Sequence, residues 1–219
     1  MSSHPPQRAR RFILSLVTLI ITLATSSLLA YPLDELSRST PARGKVTCPK
    51  LELKRYRGTH VRYHKRLLLS PHFIERLKPF ERLINEVAEE VYGRAPKRVF
   101  HLGSYNCRRI GGYPTYISEH GFGNALDVAG FDFGPLPKGQ AAPSSLPRSL
   151  KRAFKVRMLK HWDARGKSGA RALHQRFLQT LARRMIDEEM FRVILGPAYP
   201  GHKNHLHIDQ GPYDVIEVF

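Results

Sequence analysis

The residues best suited to chemistry fall in two segments, Ser118-Glu-His120-Gly-Phe-Gly-Asn-Ala-Leu-Asp127 and Asn204-His205-Leu-His207. Imidazole nitrogens and a carboxylate oxygen are donors that zinc takes at about 2 Å in tetrahedral sites. Asp127 lies inside the apolar run Ala125-Leu-Asp-Val128, where a carboxylate is costly to bury unless a cation or hydrogen-bond donors pair with it. On a straight helix His120 and Asp127 would stand about 10 Å apart along the axis, too far to share one ion. Gly121 and Gly123 permit a bend, after which residues 125 to 128 enter a strand that returns Asp127 toward His120. In the second segment, residues two apart on a strand project from one face, so His205 and His207 turn the same way while Leu206 goes to the core. The expectation is one metal centre holding Zn2+, with both histidines of the second segment able to serve it.

Positioning these groups requires a helix and strand framework. Phe73, Leu77, Phe80, Ile84, Val87 and Val91 recur at helical spacing after Pro71 and before Gly93 and Pro96. Arg98 to Ser104 alternates polar and apolar residues into a glycine, the pattern of a strand feeding a loop. Leu173, Phe177, Leu181, Met185 and Ile186 predict a second helix from about Ala170 to Glu189. Phe191 to Leu195 and Asn204 to Ile208 read as strands separated by the Gly/Pro-rich turn 196–201. Residues 134–148, rich in proline, read as an irregular surface insertion. The expected fold class is α+β: a small antiparallel sheet carrying the zinc ligands, flanked by the two amphipathic helices.

Composition narrows the setting. Hydrophobic residues at 42% and charged residues at 25% match ordinary globular chains and exclude both disorder and a polytopic membrane protein. The formal charge of +18 favours a polyanionic partner: nucleic acid, anionic lipid or a carboxylate-rich wall polymer. Arg8, Arg10 and Arg11 precede an uncharged apolar run from Phe12 to Ala30, the n-region and h-region of an export signal. Ala24 and Ser26 suit cleavage after Ser26; uncleaved, the run is about long enough to anchor the chain in the inner membrane. The expected organisation is a signal peptide or anchor over 1–30, a Pro/Ser/Arg-rich linker over 31–50 and one domain over 51–219. Export to the periplasm removes cytoplasmic nucleic acid, so no nucleic-acid partner is expected. In that oxidising compartment Cys48 and Cys107 form a disulfide, which stabilises the fold by about 4 kcal/mol through loop closure.

Taken together, Gly-Ser-Tyr-Asn-Cys-Arg108, Ser118-Glu-His120, Gly-Asn-Ala-Leu-Asp-Val-Ala-Gly-Phe131 and Asn-His-Leu-His-Ile-Asp209 resemble the bacterial extensin-like C-terminal domain family over about Thr47 to Gly211. That family is similar to the zinc peptidases that include D-Ala-D-Ala carboxypeptidases, lysostaphin-type enzymes and the hedgehog signalling domain. The resemblance implies zinc on His120, Asp127 and His207, a substrate-holding arginine at Arg108 with Arg109 as a substitute, and peptidoglycan or its stem peptides as substrate. In the carboxypeptidases a glutamate three residues before the last zinc histidine is the general base. Asn204 occupies that position here, and the resemblance to the His-x-His branches moves the role to His205. The implied function is zinc-dependent hydrolysis of D-amino-acid-containing peptides, or a non-catalytic zinc-containing wall-binding module. Glu119, His101 and His202 are expected to be structural.

Overall fold

In a computed structural model of the chain, the structure describes residues 33–163 and 168–219. The N-terminal run read as an export signal or anchor lies outside the described residues. Among those described, no helix is long and apolar enough to cross a membrane.

The element order begins with β1 (Lys54–Tyr56), β2 (Leu67–Leu69) and α1 (Pro71–Tyr92). β3 (Arg98–His101), β4 (Arg109–Ile110) and β5 (Tyr113–Ile117) follow, then a 3-10 turn at Glu119–Phe122 and the long β6 (Ala125–Phe133). The rest is β7 (Phe154–Arg157), α2 (Met158–His161), α3 (Ala170–Asp187), β8 (Val193–Leu195), β9 (Leu206–Asp209) and β10 (Val215–Glu217). The helix signals read from sequence correspond to physical caps. Ser70 accepts a hydrogen bond from the Phe73 amide, Pro71 opens α1, and Gly93 ends it in the left-handed region at φ 70°.

The fold is α+β. The main sheet runs β10-β8-β9-β6-β3, with β7 pairing the far half of β6, and two small hairpins, β1/β2 and β4/β5, stand apart. All pairings are antiparallel except β10 on β8. β6 is the spine: its first half pairs with β9 and its second with β7. At Gly130, where β6 passes to β7, a Cβ would meet the Val156 carbonyl oxygen at 2.2 Å, so only glycine lets the two backbones close.

Leu126, Val128, Leu206 and Ile208 enter one continuous core with Phe73, Phe80 and Val87 of α1 and Phe177, Leu181 and Met185 of α3. By strand alternation Asp127 and His207 point to the opposite face. The two helices therefore flank the sheet together, on the face away from these side chains. Arg184 of α3 joins them at the surface by pairing with Glu86 and Glu90 of α1. Hydrophobic periodicity identifies each helix's buried stripe without saying which sheet face receives it.

Residues 33–50 have no helix or strand, as their composition implies, yet they are not a free tether. Leu33 packs with Ile117 and Phe122, Ser39 bridges Tyr116, and buried Arg38 pairs with buried Glu119 at 2.8 Å. A few apolar residues, the Cys48 disulfide and one buried ion pair secure a segment whose average composition is polar.

Between α2 and α3, the rings of His161 and His174 pack at 4.6 Å between centres. His161 Nδ1 accepts from the Arg157 amide, and His174 Nδ1 bonds the Tyr92 hydroxyl. Burial, then Lys160 and Arg171, lower the His161 pKa to about 4; burial, then His161, do the same for His174. As pH falls through 6.5, the unfolded chain takes up two protons that the folded chain refuses until about pH 4. Stability is expected to fall between pH 6.5 and 4, and the His161→Gln/His174→Gln variant to flatten that slope, in chemical denaturation across the window.

Candidate metal centre

Asp127 on β6 and His207 on β9 are a registered cross-strand pair, so the ladder alone sets them side by side. His120 arrives from the other direction on the 3-10 turn, which Gly123 closes at φ 62°. A Cβ on Gly123 would meet Leu53 Cδ2 at 2.6 Å and the Ser70 amide nitrogen at 3.0 Å, and one on Gly121 would meet Cys48 Sγ at 2.7 Å. The two glycines expected to bend this segment are thus required by close packing as well.

The three groups converge. His120 Nε2 stands 3.1 Å from Asp127 Oδ1 and 3.2 Å from His207 Nδ1, and His207 Nδ1 is 2.9 Å from Asp127 Oδ1. Tetrahedral zinc with bonds near 2.0 Å would separate its donors by about 3.3 Å. The outer nitrogen of each ring is committed: His120 Nδ1 donates to the Ser104 carbonyl, and His207 Nε2 donates to Asp209 Oδ2 at 2.7 Å. His120 Nε2 therefore presents a lone pair to a carboxylate oxygen, acceptor against acceptor, in a nearly dry site where His120 is 2% exposed. A cation between them resolves this, and the donor set fits zinc.

Electrostatics lead the same way. Burial would lower the His207 pKa, but Asp127 and Asp209, each bonded to one ring nitrogen, outweigh it and raise it to about 9. Burial would raise the Asp127 pKa, yet the His120 and His207 imidazoles packed against it hold the carboxyl well below the usual carboxylate range. The site is thus built to bind positive charge, from a proton or a metal ion. Asp209, which orients His207, has no role in the sequence reading. Its signal was available: 205, 207 and 209 share the two-residue period that places side chains on one strand face.

His205 precedes β9 and still faces the cluster, its Nε2 3.5 Å from Asp127 Oδ1. Its Nδ1 donates to Asn204 Oδ1 at 2.7 Å, which leaves the Nε2 lone pair toward the cluster. Burial, partly opposed by Asp127, lowers its pKa to about 4, so the imidazole is neutral at pH 7. His202 covers it at 4.7 Å between ring centres and packs on Tyr199.

Arg108 is exposed at the rim, close enough to His202 to lower that ring's pKa after burial and His207 have acted. Its guanidinium donates to the Arg109 carbonyl, and among the described residues it touches none of the three converging groups. Arg109 is committed elsewhere, donating to the carbonyls of Pro41, Arg43 and Gly44. Glu119 points away from the cluster and accepts from Arg38 and Asn124. His101 packs at a tilt against His64, 4.5 Å between ring centres, and bonds the Lys65 carbonyl instead of a ligand.

Cys48 and Cys107 form a disulfide with a Cα separation of 5.8 Å. It fixes the strand-end loop beside the cluster, where the Asn106 amide bonds the His120 carbonyl. Cys48→Ser/Cys107→Ser is expected to cost about 4 kcal/mol of stability by releasing the loop-closure constraint, measured by urea titration against the oxidised parent.

No curated protein and no solved structure matches the chain. The family model described as extensin-like protein C-terminus matches residues 31–141, just over half of the chain. That stretch contains the disulfide, Arg108, His120 and Asp127, and stops before the segment that delivers His205 and His207. The match begins in the segment that packs on the domain through Leu33 and Arg38, and the chain belongs to the extensin-like C-terminal family.

Proposed function

We propose that the protein is an exported zinc-dependent peptidase that cleaves D-amino-acid-containing peptides of peptidoglycan, as a carboxypeptidase or endopeptidase in the periplasm. The supporting observation is the convergence of His120 Nε2, Asp127 Oδ1 and His207 Nδ1 within 3.2 Å of one another, with both rings oriented from behind. These three would hold the ion. Bound zinc supplies Lewis-acid polarisation of a carbonyl and a water acidic enough to yield hydroxide near neutral pH.

The chain's own groups do the rest. Ser104 and Asp209 fix the two ligand rings, as outer-shell partners do in metal sites generally. Asn204 fixes the His205 tautomer so that Nε2 can accept a proton from the attacking water and return it to the leaving amine. Arg108 is placed to hold a substrate carboxylate from the rim. The strongly basic surface keeps the protein on an anionic wall or membrane surface, and an uncleaved N-terminal run would tether it to the inner membrane.

One observation favours a non-catalytic zinc-containing wall-binding module instead. Among the described residues, the carboxylates bonded to the ligand histidines are Asp127 and Asp209, both occupied, and position 204 offers an amide. Elemental analysis combined with digestion of purified peptidoglycan, with and without chelator, decides between the readings. Stoichiometric zinc with chelator-sensitive release of stem-peptide fragments is the expected result. Zinc without release would leave the binding module, and absence of zinc would overturn both.

A further inference from the structure

Outside the three converging donors, the turn at Gly58 and the segment 62–66 enclose a cleft of about 520 Å³. Arg57, Arg62, His64, Lys65 and Arg66 line it. Gly58 makes the turn tight at φ 100°, where a Cβ would meet the Val61 carbonyl oxygen at 1.8 Å. The Tyr63 amide bonds the Arg57 carbonyl, and residues 62 and 64 bond the Val99 backbone of β3. The cationic walls therefore stand on a fixed floor.

Among the described residues, these cations have no acidic partner, in contrast with several basic groups elsewhere on the surface. Arg98, Arg157, Arg184 and Arg192 are each paired with a carboxylate. Among the described residues, no carboxylate lies within ion-pair distance of Arg57, Arg62, Lys65 or Arg66. Four like charges around one concavity repel one another unless a ligand of opposite charge enters. The His64 pKa is lowered by burial and then by Lys65 and Arg98, in keeping with a positive local potential.

We propose that this cleft binds a ligand carrying several closely spaced phosphate oxygens, an oligophosphate or a phosphodiester segment. Guanidinium forks match phosphate geometry, and one carboxylate would offset only one of the four charges. The volume falls in the range of small-molecule sites and exceeds what a single phosphate ion fills. The inference stands apart from the metal centre and its test uses no metal-dependent readout.

The test is calorimetric titration of the full-length protein in detergent with tripolyphosphate, with a glycerol phosphate oligomer and with citrate as a carboxylate of similar charge. Saturable binding of tripolyphosphate, weakened about tenfold or more in Arg57→Ala/Arg66→Ala and unchanged in the surface control Lys138→Ala/Arg176→Ala, is expected. Binding of the glycerol phosphate oligomer as well would identify a polymer as the source, and its failure would identify a free oligophosphate. Should Arg57→Ala/Arg66→Ala fail to fold, Arg62→Gln/Lys65→Gln removes the two other cationic charges of the cleft. Citrate binding as tightly as tripolyphosphate, equal losses in the control, or no saturable binding would each overturn the proposal.

Discussion

His207→Ala protein is expected to leave purification with less than about a tenth of the parent's zinc, and to release no peptide from peptidoglycan. The expectation rests on how few groups define the cluster. Removing His207 leaves His120 and Asp127, one histidine and one carboxylate, where zinc sites use three protein ligands or more. The loss also leaves Asp209 buried at 5% exposure without its imidazole partner, so some stability will go with the metal. Asp209→Asn separates the two effects. The ring nitrogen keeps a hydrogen-bond partner but loses the charge behind it, and zinc affinity should weaken by about 10- to 100-fold, the cost typical of an outer-shell change. Competition against a chromophoric chelator measures both variants. Full zinc content in His207→Ala would remove His207 from the ligand set.

The parts of this site that were legible in the sequence are those governed by short-range rules. Period-two spacing turned His205 and His207 to one side, and glycines 121 and 123 announced a bend, because both features depend on neighbours within a few residues. The helices were readable from Phe73 to Val91 and from Leu173 to Met185 for the same reason. What could not be read depends on pairing between distant segments. The register that sets Asp127 opposite His207 is a property of two strands 80 residues apart. The burial of Glu119 rests on Arg38, 81 residues earlier, in a segment that reads as linker by composition. The placement of both helices on one sheet face likewise follows from tertiary packing, which amphipathic stripes do not encode. Asn204 shows the opposite case: by residue type it reads as a missing base, whereas its geometry makes it the partner that orients His205.

That geometry leads to the second large effect. His205→Ala is expected to retain a full complement of zinc and the parent's thermal midpoint, while kcat for release of stem-peptide fragments falls by about 10² to 10⁴. His205 is not one of the three converging donors, and its Nε2 is 3.5 Å from Asp127 Oδ1, outside the triangle they form but facing it. A group so placed can take a proton from water at the cluster without contributing to the cluster's assembly. Asn204→Leu should lower kcat by a smaller factor, since it removes the hydrogen bond that keeps Nε2 unprotonated but leaves the imidazole in place. Arg108→Ala should behave differently from both, raising KM more than it lowers kcat, because its guanidinium lies at the exposed rim and would act on bound substrate from outside the cluster. The three variants together distinguish proton transfer from positioning and from binding. If His205→Ala kept the parent's kcat, the attacking water would have to lose its proton elsewhere. The two carboxylates bonded to His207 are poor candidates, since Asp127 is held ionised by the histidines around it and Asp209 is engaged by His207 and the Gly211 amide.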